Sequence, residues 1–235
     1  MSALPVSAVL VLWLDAVRAG RAAPDDLAGA VRGGDPWHLV TGLPEREVLK
    51  LYELPAALAG KISLALPVPG DPVGLGGPPS FNLAAMEAGE AVVAGTVGLV
   101  PEMDARTVVW RAHPADPVPW VDERETASEL RVVLADVTRR LVDLEVARPE
   151  IPDLLLNLRH RAPLPLPPGY DVRRAETIER AVLCLDILQL ARAGEGGAVS
   201  AYEMERRRTA LDDLGRAARR ALVGACFSAD PSRTD

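Results

Sequence analysis

Between Arg174 and Ala193 lies a stretch of helical length in which apolar residues turn up on almost every side. Ile178, Ala181, Val182, Leu185 and Leu188 mark one face, and Leu183, Cys184, Ile187 and Leu190 fill much of the rest. A helix apolar nearly all round has no face to give to water, so it must be central in a packed unit or lie in a subunit interface. The neighbouring sequence offers that cover. "TASE" (126 to 129) has the spacing of a capping box, and Leu130, Val133, Leu134, Val137, Leu141 and Leu144 follow on one helical face, which predicts a helix over 125–147. "GEGG" (194 to 197) closes the middle helix, and "SAYE" (200 to 203) opens a last one, to about Cys226.

The last helix carries Arg206, Arg207, Arg208, Arg216, Arg219 and Arg220, but Glu203, Glu205, Asp212 and Asp213 are interleaved with them. That pattern reads as a solvated, salt-bridged face. Arg207 falls on the apolar side, where burial would demand a carboxylate partner. Between the first two long helices, Pro149 and Pro152 stop the chain, "DLLLNLRHR" (153 to 161) suggests a turn of helix, and "LPLPP" (164 to 168) reads as an extended connection along its own domain.

Before Trp120 the pattern is different. Residues 5–19 and the "APDDLAGAVRG" that follows predict a short helical pair. "PWHLVTG" (36 to 42) predicts a strand, 45–60 a helix interrupted at Pro55, and "ISLALPV" (62 to 68) a buried strand. A helix from Leu83 to Ala94 comes next, then strands "TVGLV" (96 to 100) and "RTVVWRAH" (106 to 113) joined by a turn at Met103 and Asp104. The expected fold is α/β: a small mixed sheet with a right-handed βαβ crossover from 62–68 to 96–100, followed by a helical C-terminal bundle. The division falls at 1–121 and 122–235, with the two parts packed as one compact unit.

A formal charge of −7 on 235 residues argues against nucleic acid and anionic membrane as partners, because both are bound by excess Lys and Arg. Val6 to Leu14 is an apolar run too short to span a bilayer, with no basic region before it, and a cytoplasmic location is expected. Cys184 and Cys226 belong to no chelating or redox spacing and read as reduced, buried thiols.

The loop "PGDPVGLGGPPSFN" (69 to 82), between a strand and a helix, is where a phosphate could be cradled. Gly74, Gly76 and Gly77 would allow close backbone approach, Ser80 or Asn82 would cap the helix, and Asp71 would act as a base or hydroxyl-binding carboxylate. Yet the loop has no P-loop Lys, and Pro78 and Pro79 lack the N–H groups a cradle uses. A structural corner, with Asp71 in an Asx-type turn, is the favoured account, and a small anionic ligand the alternative. His113, sharing one side of its strand with Arg111, is a further candidate, paired with Glu102 or Asp104 for acid/base work. The favoured account there is an edge strand ended by prolines.

The histidines His38, His113 and His160 have no chelating neighbours in sequence, so a metal would need a site assembled from separate strands, such as His38 and His113 with Asp35 or Asp116. No metal or cofactor is expected, and no reaction class is assigned. The residues point to a binding or assembly protein that self-associates through its C-terminal helices, with a protein partner as a further possibility. The alternative is an enzyme or sensor taking a small anionic metabolite at 70–82.

Overall fold

The computed structural model describes residues 4–33, 37–44, 46–104, 107–143, 163–193 and 201–227. Asp35, the expected turn 153–161 with His160, "GEGG", the capping Ser200 and the tail from 228 lie outside the described residues. By backbone contacts the chain divides into two units. One contains 4–121 and 165–172, and the other 122–164 and 173–225.

The first unit opens with α1 (Val6–Arg18) and α2 (Pro24–Arg32). Strands β1 (Trp37–Leu43) and β2 (Arg46–Lys50) follow, then a 3-10 turn Leu51–Glu53 and the one-turn helix α3 (Leu54–Ala57). Next come β3 (Ile62–Ala65), α4 (Pro79–Ala88), β4 (Ala91–Ala94), β5 (Val97–Asp104) and β6 (Thr107–Pro114). The six strands form one mixed sheet in the order β2-β1-β6-β5-β4-β3, with β1 and β6 parallel and every other neighbouring pair antiparallel.

The mixed sheet and the helical C-terminal part are as the sequence predicts, and several details differ. The expected edge strand at 106–113 is β6, an inner strand between β1 and β5. Residues 46–50 are an edge strand hydrogen-bonded to β1, where a helix over 45–60 was expected. Pairing with β1 overrides the weak helical pattern, and Pro55 sits in the first turn of α3 instead of breaking a longer helix. The helix expected through Ala94 stops at Ala88, because Gly89 takes the left-handed conformation (φ 75°) that ends helices. "AVVA", buried on both faces, then becomes β4. The expected crossover consequently links strands that run in the same direction but have β4 between them. Met103 and Asp104 belong to β5 itself.

Alternation along the strands sorts the sheet into two faces. His38, Val40, Leu49, Val92, Leu99 and Trp110 point to one, all buried, and α1 packs against β3 and β4. On the other, Ala65, Ala91, Val93 and Val100 form a core with Phe81 and Ala85 of α4 and with Ala115. The Phe81 ring fills the space over Gly98, where any Cβ would collide with it. This second core covers β3 to β5 only.

Among the described residues the second unit comprises α5 (Glu123–Asp143), α6 (Val172–Ala193) and α7 (Ala201–Ala225). Helix α5 starts a turn earlier than the "TASE" box predicts. The Asp122 carboxylate accepts the N–H groups of Arg124 and Glu125 (2.8 and 3.2 Å), and the Thr126 hydroxyl donates back to the Asp122 carbonyl. Arg140 pairs with Asp213 (3.1 Å) and Arg192 with Asp212 (2.7 Å), tying α7 to both other helices. Arg207 finds a carbonyl where a carboxylate was expected: it donates to Ala191 O (3.0 Å) in the last turn of α6, the negative end of that helix dipole.

Candidate functional site

The loop after β3 is built from two tight turns. In the first, Val68 and Asp71 exchange backbone hydrogen bonds (3.0 and 2.8 Å) across Pro69 and Gly70, and Gly70 has φ 83°. Proline followed by a positive-φ glycine is the type II signature. In the second, Leu75 N–H donates to Pro72 O (3.1 Å), again with a positive-φ glycine, Gly74 (φ 83°), in the third place. A Cβ on Gly74 would stand 2.5 Å from the Leu64 carbonyl oxygen, so this glycine lets the loop lie against β3.

The second half of the loop lies against the segment after β6. Gly77 N–H donates to the Asn82 side-chain oxygen (3.1 Å), and Asp116 N–H donates to Gly77 O (2.8 Å). Added Cβ atoms on Gly76 and Gly77 would meet the Asp116 carbonyl and carboxylate at 2.9 and 2.7 Å. The expectation that Ser80 or Asn82 caps α4 is corrected. No side chain caps this helix; Asn82 reaches back to Gly77 instead, and Ser80 is exposed. The N–H groups of Asp71, Leu75, Gly77 and Asp116 are therefore bonded inside the corner.

The structure brings Gly76, Gly77, Asn82 and Asp116 together, and sets His113 near them through Phe81. His113 stands opposite Gly98 in the β5–β6 register, half-buried, its ring centroid 6.3 Å from that of Phe81. Asp71 is in the first turn, at the Val68 bridge. The acid/base pair expected of His113 with Glu102 or Asp104 does not form. Glu102 instead makes an ion pair with Arg111, both exposed. Asp104 pairs with Thr107, six residues from His113 on β6 and so about 20 Å away.

His38 and His113 cannot share a metal, because alternation puts them on opposite faces of the sheet. No cluster of metal-ligating side chains occurs among the described residues. His38 is instead a buried core residue whose Nδ1 accepts the Trp110 indole N–H at 3.1 Å. Burial, aided by the positive charge of Arg32, lowers its pKa to about 4.

Three further polar contacts carry no sequence signal. The Glu90 carboxylate accepts the Ser7 N–H (2.7 Å) in the first turn of α1, where a helix attracts an anion. Burial raises the Glu90 pKa while the hydrogen bonds from Ser7 oppose the rise. Trp13 on α1 donates its indole N–H to Pro165 O (2.7 Å), and Arg21 donates to Gly169 O (3.4 Å). The proline-rich strap, which the sequence division assigns to the helical part, thus lies with α1 in the first unit.

In the helical unit, Ile178, Ala181, Val182, Cys184 and Leu188 of α6 are buried, and burial raises the Cys184 thiol pKa. The opposite side is only partly covered: Leu183 is 37% exposed and Ile187 41%, with Leu190 half-buried one turn on. No helix among the described residues is long and apolar enough to cross a membrane.

A family model described as Rv1486c-like protein, N-terminal domain, matches residues 7–125, and one described as Rv1486c-like protein, C-terminal domain, matches 124–223. The chain is similar to two curated proteins of Mycobacterium tuberculosis, "Uncharacterized protein MT1533" (strain CDC 1551 / Oshkosh) and "Uncharacterized protein Rv1486c" (strain ATCC 25618 / H37Rv). Each is 38% identical over 124 aligned residues, a match spanning 41% of this chain and 43% of the relative. No solved structure matches. With both domain models in sequence along it, the chain belongs to the Rv1486c-like family.

Proposed function

We propose that this chain is an assembly protein, working in the cytoplasm, that self-associates through the outer side of α6. One observation carries the reading: Leu183 and Ile187, one turn apart, stay exposed on a helix whose other side is buried at Ile178, Ala181, Val182 and Leu188. An isolated surface leucine needs no explanation, but an apolar strip along a helix is the usual anchor of a helical interface. The buried thiols of Cys184 and Cys226 suit a reducing compartment.

The test is the association state of the purified chain by sedimentation velocity over a wide concentration range, for the natural sequence and for Ile187→Glu. The natural chain should associate, and the charged variant should stay monomeric with unchanged melting temperature. Leu185 is a poorer choice, since it lies on the bundle side with Ile178 and Val182 and a charge there disturbs folding. A natural chain that remains monomeric at about millimolar concentration overturns the proposal.

A further inference from the structure

The sheet of the first unit has an unfinished layer. Helix α4 covers one face over β3, β4 and β5, and among the described residues its core does not extend over β6, β1 and β2. The residues that alternation puts on this bare part are not those of a plain solvated face. Trp37 is 71% and Val48 53% exposed, with Leu39 and Val109 half-buried between them. The strand pairings set these side chains in neighbouring rows: Leu39 opposite both Val109 and Lys50, and Val48 opposite Thr41.

We propose that this bare face receives α6 of a second copy, making the self-association a head-to-tail contact. The inference rests on the assembly reading above and names the surface that reading leaves open. Three strands span about 10 Å, the width of one α-helix, so the face takes a single helix beside α4 rather than another sheet. The outer strip of α6 supplies such a helix, with Leu183 and Ile187 as its anchors. Glu176 and Glu179, exposed in the turns before Leu183, can meet Lys50 on that face, where Arg111 is already paired with Glu102 and Arg46 with Glu53.

A head-to-tail contact uses two different patches, so it builds rings or open chains and, unlike a two-fold contact, can be repaired by mixing. Ile187→Glu breaks the inserting patch and leaves the receiving face intact; Val48→Glu does the reverse. Each full-length variant alone should associate at least about tenfold more weakly than the natural chain. Mixed in equal amounts, they should form a 1:1 dimer held by one intact contact, seen by sedimentation and native mass spectrometry. Trp37→Ala, which adds no charge at the edge strand, should weaken association as Val48→Glu does and serves if that variant folds poorly. If the face variants assemble normally while Ile187→Glu does not, the receiving surface is wrong and the assembly reading stands, with α6 meeting α6. Two weakened variants that fail to pair on mixing likewise overturn the head-to-tail contact. If Ile187→Glu has no effect on association, both inferences fall.

Discussion

His38 uses its Nδ1 to accept the indole proton of Trp110, and both side chains are almost wholly buried. With the imidazole pKa lowered from 6.5 to about 4 in the folded chain, the unfolded chain binds a proton that the folded chain refuses between those values. Stability is therefore full above about pH 6.5 and falls as the pH drops toward 4, by about 2 kcal/mol at pH 5. Urea denaturation at pH 7 and pH 5 should show this loss. His38→Gln keeps an acceptor for Trp110 without a titrating group, so it should remove most of the difference; an equal loss in the variant would place the titration elsewhere. Gly76 illustrates a different constraint. Its Cβ position is 2.9 Å from the Asp116 carbonyl, so Gly76→Val should destabilise the fold by about 1–3 kcal/mol in the absence of any ligand, measured by thermal unfolding. The glycine richness of the loop was plain in the sequence. That Gly74 and Gly76 are needed for close backbone packing was not, because the atoms they avoid belong to Leu64 and Asp116.

At the scale of elements, the long helices were legible and the short strands only partly so. A helix of twenty residues repeats its pattern over several turns, whereas β2 and β4 are five and four residues long and take their identity from hydrogen bonds to β1, β3 and β5. The strap across α1 falls between these cases. Its prolines exclude a helix, but the docking place depends on Trp13, 152 positions away. Removing the indole donor with Trp13→Phe leaves the Pro165 carbonyl without this partner and should loosen the strap, at a cost of about 1 kcal/mol. Chymotryptic cleavage at Tyr170 should then quicken relative to the natural chain, and an unchanged rate would mean that the Arg21 bond to Gly169 and the packing of Pro167 suffice.

For the molecule as a whole, the apolar strip of α6 and the bare sheet face belong to different units. Only the first was foreshadowed. A helix apolar on nearly all sides has to be central in its unit or lie in a subunit interface, and Leu183 and Ile187 are the positions left exposed. What the sequence determined by itself is what depends on near neighbours: three long helices from a 3.6-residue apolar period, the glycine and proline turns, and an acidic balance that disfavours polyanions. The tertiary structure alone decided strand order, the antiparallel placing of β4, and the partners of the buried polar groups. Ser7 meets Glu90 across 83 positions and Trp110 meets His38 across 72. Such pairings are set by which backbone edges and core volumes are left once the helices and sheet have packed, a condition on the whole chain that no local window contains.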